Sequence, residues 1–235
     1  MRTLGLIGGM TWHSTVDYYK LINQGVQDRL GGTHSAKILL LSVDFSPVEH
    51  MQNRGEWRTL GQLMAGAARS LEGAGAEAVV ICANTMHQLA EDITAAVKIP
   101  LIHIADAAAV EVKKKGLTTI GLLGTRYTME MDFYRGRLEA QHGLKVLVPG
   151  EPGRTTVHEV IYKELAHGLV KDESRRRYVD VIEDLVKHGA EGVILGCTEI
   201  PMLIGAKDSP VPVFDTTALH AAAAVDFALG RSLSS

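Results

Sequence analysis

Only two cysteines, Cys82 and Cys197, occur in the 235 residues. That is too few for a disulfide framework and suits a reducing compartment. No apolar run approaches the roughly 20 residues of a membrane-spanning helix. Thr3–Met10 is too short and too glycine-rich for the apolar stretch of a signal peptide, so the expected location is the cytoplasm and no membrane partner is expected. The net charge of −3 at pH 7 leaves no electrostatic footprint for nucleic acid. Its longest basic runs, Lys113–Lys115 and Arg175–Arg177, fall in helical patterns and read as solvated faces. No His/Asp/Glu cluster has metal-ligand spacing. Gly5–Gly9 lacks the third glycine of a dinucleotide fingerprint. With 46% apolar and 22% charged residues, the composition is that of an ordinary globular protein, long enough for one large domain or two small ones.

What is present is an alternation of strand and helix. Thr3–Ile7 is a strand candidate, and Ser14 offers an N-cap for a helix through Tyr18, Leu21, Ile22 and Val26. Lys37–Val43 reads as a second strand, Ser46–Gly55 as a polar loop, and 57–71 as a helix. A third strand, Ala78–Cys82, ends in Ala83-Asn84-Thr85-Met86-His87; a helix to Val97 and a fourth strand over Ile99–Ile104 follow. Such alternation implies βαβ crossovers and parallel sheets, an α/β fold.

The second half repeats the first. Thr119–Gly124 echoes Thr3–Gly8, Gly189–Leu195 echoes Gly75–Ile81, and Val211–Phe214 echoes Ile99–Ile102, at offsets of 116, 114 and 112 residues. Two pseudo-symmetric α/β halves are expected, each a parallel sheet flanked by helices, with the active site in the cleft between them. The repeat alone puts their boundary near residue 115. Laid over each other without gaps, the halves pair Cys197 with Ala83, Thr198 with Asn84 and Glu199 with Thr85, while Cys82 pairs with Gly196. Because side chains alternate faces along a strand, Cys82 points away from the face that Ala83 shares with Cys197 and reads as a small core residue.

Gly196-Cys197-Thr198-Glu199 stands where the apolar run Val193-Ile194-Leu195 stops. In open α/β sheets, chemistry collects beyond the carboxyl ends of the strands. A cysteine entering a helix there is expected to have its thiol pKa lowered by the helix N-terminus.

With these residues in view, the chain resembles the aspartate/glutamate racemase family over nearly its whole length. The resemblance rests on Gly5-Leu6-Ile7-Gly8-Gly9-Met10, Asn84-Thr85-Met86-His87, Gly124-Thr125-Arg126-Tyr127-Thr128 and Gly196-Cys197-Thr198-Glu199. It implies a cofactor-independent enzyme, usually a homodimer, acting on a small amino acid. It also implies that the helix after each fourth strand crosses to the other half, giving domains of 1–104 plus 216–235 and of 105–215. Racemisation removes the Cα proton from one face and returns it to the other, so two acid/base groups flank the carbon. By the resemblance Cys197 is one of them. Asn84, Thr85, Thr125 and Thr198 would hold carboxylates, Glu199 would meet the ammonium group, and Met10, Gln52 and His167 would line the substrate. Where some members place an arginine for a side-chain carboxylate, this chain has Met51 or Gln52, with Arg54 close by in sequence. Tight selection for a dicarboxylic amino acid is then not implied.

The chain departs from the family pattern at one position. Two-base members have cysteine directly before the Asn-Thr pair, and here that residue is Ala83. Three explanations stay open: Thr85 or a bound water supplies the second acid/base, the protein protonates from one side only, or Ala83 is an introduced replacement. The alternatives to a racemase are therefore a one-cysteine lyase or isomerase of the same superfamily and a catalytically impaired amino-acid-binding member.

Overall fold

A computed structural model describes residues 1–231. The chain divides into two compact units, one formed by Met1–Ile104 and the chain from His220 onward, the other by Ala105–Leu219. The return to the first unit falls at 219/220, against 215/216 from the family resemblance. Of the return segment 216–235, residues 232–235 lie outside the described residues.

The first unit runs β1 (Leu4–Gly8), α1 (Trp12–Leu30), β2 (Ile38–Ser42), α2 (Phe45–Asn53), α3 (Trp57–Gly73), β3 (Ala78–Ile81), α4 (Ala90–Ala96) and β4 (Leu101–Ile102). The second begins within α5 (Ile104–Lys114). It continues through β5 (Thr119–Gly124), α6 (Arg126–Glu130), α7 (Asp132–His142), β6 (Lys145–Leu147), α8 (Glu151–Lys163), α9 (Asp172–Lys187), β7 (Val193–Gly196) and β8 (Val213–Asp215). The last helix, α10 (Thr216–Ala228), carries the chain back. Each unit holds one four-stranded parallel sheet, in the orders β2-β1-β3-β4 and β6-β5-β7-β8. The sequence repeat is thus a repeat of topology.

Alternation along the strands sorts the first unit into two cores. Leu4, Leu6, Ala78, Val80 and Cys82 pack with Tyr18, Ile22 and Val26 of α1 and Ala224 and Val225 of α10. Ile7, Val79, Ile81 and Ala83 pack on the other face with Leu60, Met64 and Leu71 of α3. In the second unit Val193, Leu195 and Cys197 share a face with Val157 and Ile161 of α8 and Tyr178 and Ile182 of α9. Ala83 and Cys197 therefore occupy equivalent places on equivalent strands, and Cys82 faces the other way.

Glycine lets a helix start hard against each first strand. A Cβ on Gly8 would meet Thr15 Cγ2 at 2.5 Å, and one on Gly124 would meet Thr128 Cβ at 3.0 Å. Four local expectations are corrected. The cap of α1 is Thr11, whose Oγ1 accepts from the Ser14 amide, so Ser14 lies in the first turn and Leu21 faces outward. The expected polar loop 46–55 contains α2. Asp44 caps it, and Pro47 falls in the first turn, where a missing N–H costs nothing. The helix expected from Asn84 to Val97 is a 3₁₀ turn, Thr85–Leu89, followed by α4. The fourth strand is only Leu101–Ile102, because α5 already starts at Ile104.

Candidate functional site

At the carboxyl end of β7 the chain turns into a short 3₁₀ segment, Ile200–Met202, rather than a long helix. The turn folds Glu199 back over the cysteine. Cys197 Sγ donates to Glu199 Oε2 at 3.0 Å, and Thr198 Oγ1 donates to the same oxygen at 2.6 Å. Cys197 itself is only 7% exposed, in the core with Leu195 and Tyr178. Burial, and then the charge and hydrogen bond of Glu199, push its thiol well above the ordinary cysteine value, while the amides of Glu199 and Thr198 pull the other way. The expectation of a thiol acidified by a helix N-terminus is thus corrected, because burial and Glu199 outweigh the amides of the short turn that follows the strand. The resting group is a neutral S–H aimed at a carboxylate.

Thr125 follows β5, whose last residue, Gly124, pairs with Gly196 of β7. Thr125 caps α6, its Oγ1 accepting from the Thr128 amide at 3.3 Å. The Arg126 amide donates to His158 Nδ1 at 3.2 Å, so α8 also holds this turn. His167 is exposed on a 3₁₀ turn, Leu165–His167, that ends at Gly168 with φ +72°.

In the first unit Ala83 and Asn84 are buried and Thr85 is half-buried at the start of its 3₁₀ turn. Met10 packs in the same core as Ala83. Gln52 is buried on α2, and its Nε2 donates to Met86 Sδ at 2.9 Å, so α2 leans on the turn that carries Asn84 and Thr85. Arg54 lies just beyond α2, largely exposed and paired with Glu56. Two groups near these strand ends are not announced by local sequence. Thr11 stands after β1 as Thr125 stands after β5, both as helix caps, but a turn two residues longer hides the match. His87, on the 3₁₀ turn after β3, is 1% exposed, with both ring nitrogens engaged. Among the described residues, no group of three His, Cys, Asp or Glu side chains is placed to hold a metal ion.

A profile of the Asp/Glu/Hydantoin racemase family matches residues 7–224. The chain belongs to that family. A crystal structure from Yersinia pestis, described as a candidate Asp/Glu racemase, is 55% identical and covers 97% of this chain and 100% of its own at a TM-score of 0.93. The structure of an aspartate racemase homologue from Pyrococcus horikoshii is 35% identical, with 97% and 100% covered and a TM-score of 0.85. The broad specificity amino-acid racemase RacX of Bacillus subtilis is 20% identical over 231 residues, 94% of this chain and 96% of that protein. At the end of β3, Ala83 is small and buried.

Proposed function

We propose that the protein is a cofactor-independent amino-acid racemase in which Cys197 is the one cysteine acid/base. The observation that carries this reading is the Cys197–Glu199 hydrogen bond at the end of β7, in a chain of the racemase family. Glu199 takes the thiol proton, and the thiolate then removes the Cα proton from one face of the substrate. The electron pair left on Cα spreads into the substrate carboxylate, held by donors from Asn84, Thr85, Thr125 and Thr198. On the other face, beside Ala83, the new proton comes from Thr85 or from water. Met10 and His167 are proposed to line the substrate. The boundaries 1–104 plus 216–235 and 105–215 remain the proposed domains.

With Met51 or Gln52 where some members place an arginine, the proposed substrate is aspartate, glutamate or a similar amino acid, without strict selection for a second carboxylate. A cytoplasmic homodimer is proposed with it. Support comes from Trp12, Val16 and Tyr19, 61%, 54% and 55% exposed on one stripe of α1. Light scattering that gives a monomer mass at micromolar concentration would remove this part.

A second reading is favoured by Ala83: a one-cysteine lyase or isomerase that protonates from a single face. The test is conversion of pure L- and D-aspartate and glutamate followed by optical rotation. Wild type is expected to invert at least one of them, and Cys197→Ser to lose on the order of 10²–10⁴-fold in rate. Unchanged conversion in Cys197→Ser rules out the thiol as the acid/base group.

A further inference from the structure

His87, His103 and His220 form a buried stack in the first unit, none more than 4% exposed. The ring of His87 lies 4.6 Å from that of His103 and 5.4 Å from that of His220, edge to face. The hydrogen bonds assign the protons. His87 Nδ1 is 2.8 Å from the Ala83 carbonyl, which can only accept, so Nδ1 carries the hydrogen. Its Nε2 receives the Ile104 amide at 3.3 Å and therefore carries none. The same argument makes His220 an Nε2–H tautomer, donating to the Ile102 carbonyl at 2.7 Å and accepting from Tyr18 Oη at 2.7 Å.

We propose that His87 is a positioning residue: as a neutral ring it ties the carbonyl of Ala83 to the amide that opens α5, and so sets the direction in which Asn84 and Thr85 leave β3. The inference rests on the reading that Asn84 and Thr85 hold the substrate. Three segments are pinned at once, the strand-end turn, the junction of β4 with α5 and, through His220, α10. A second proton on His87 would set N–H against N–H at Ile104 and release the tie. The titratable groups that face the ring are His103 at the head of α5 and His220 on α10, with Tyr18 of α1 behind His220. Burial and the two neighbouring histidines hold His87 well below the ordinary histidine value, in keeping with the hydrogen-bond assignment.

The test separates the two bonds. Asparagine at this position keeps a donor near the place of Nδ1, whereas glutamine reaches the place of Nε2 and offers an acceptor to Ile104. His87→Asn and His87→Gln each break one end of the tie, and each is expected to raise KM about tenfold, the worth of one buried hydrogen bond, with kcat less affected. Amide hydrogen exchange at Thr85 and Met86 without substrate is expected to be faster than wild type in both variants. Imidazole ¹⁵N shifts of the wild-type protein are expected to show a neutral Nδ1–H ring from pH 5 to 8. An Nε2–H or charged ring, or wild-type KM and exchange in either variant, overturns the inference. If either variant fails to fold, the wild-type ¹⁵N shifts decide. If no amino acid is racemised, the function reading falls, while hydrogen exchange and tautomer still decide the role of His87.

Discussion

Burial and the Glu199 carboxylate both favour the protonated thiol of Cys197, and the amides of Thr198 and Glu199 favour the thiolate. Removing the carboxylate charge therefore moves reactivity and turnover in opposite directions. In Glu199→Gln the thiol pKa is expected to fall but to stay above the ordinary cysteine value, because burial is the larger cause. Alkylation of Cys197 at pH 8 then speeds up, while racemisation falls by on the order of 10²-fold through loss of the proton acceptor. The pH profile of alkylation in a Cys82→Ala background reads this directly. A profile that does not move would show that Glu199 exerts no hold on the thiol. The cysteine and its strand end were legible in the sequence, since an apolar run stopping at Gly-Cys-Thr-Glu marks a strand end. Its charge state was not, because that depends on how a three-residue turn folds Glu199 back, and nothing in local sequence specifies that.

Among the elements, α5 and α7 are clasped by one carboxylate. Asp106 accepts from Arg137 Nε at 2.6 Å, Arg137 Nη2 at 2.7 Å and His142 Nε2 at 2.9 Å. Burial pushes its pKa up, but the hydrogen bonds from Arg137 and His142 outweigh this and hold it below the ordinary carboxylate value. A depressed carboxylate stabilises the fold above its unfolded pKa of about 4, and that contribution is lost as pH falls through the folded value. Thermal melts from pH 3 to 7 are expected to show a steeper acid loss in wild type than in Asp106→Asn, with the variant roughly 1 kcal/mol less stable at pH 7. Parallel acid limbs would mean the clasp does not contribute. Strands β1, β3, β5 and β7 were readable as buried apolar runs, and α3 from its periodicity. Helix α2 was not, because Ser46, Pro47 and Asn53 carry turn chemistry and only Val48 and Gln52 mark its buried face. Strand β6 has three residues, too few for any period to show.

At the scale of the whole chain, the repeat was the most informative feature. It placed Ala83 opposite Cys197 in the alignment, and the strand faces bear this out in each unit. It missed the match of Thr11 with Thr125, because the turn after β1 is two residues longer. Long-range ties such as His220 of α10 to Tyr18 of α1 join residues some two hundred positions apart, and no local pattern announces them. In the proposed mechanism one thiol, Cys197, exchanges the Cα proton while the Ala83 face offers no thiol. Deuterium at Cα, followed by NMR and chiral separation in D₂O from each enantiomer of aspartate and glutamate, tests it most directly. Wild type is expected to exchange the retained enantiomer faster than it forms the inverted one, Cys197→Ser to do neither, and Ala83→Cys to bring inversion closer to exchange. Inversion as fast as exchange in wild type, or exchange that survives Cys197→Ser, would contradict it.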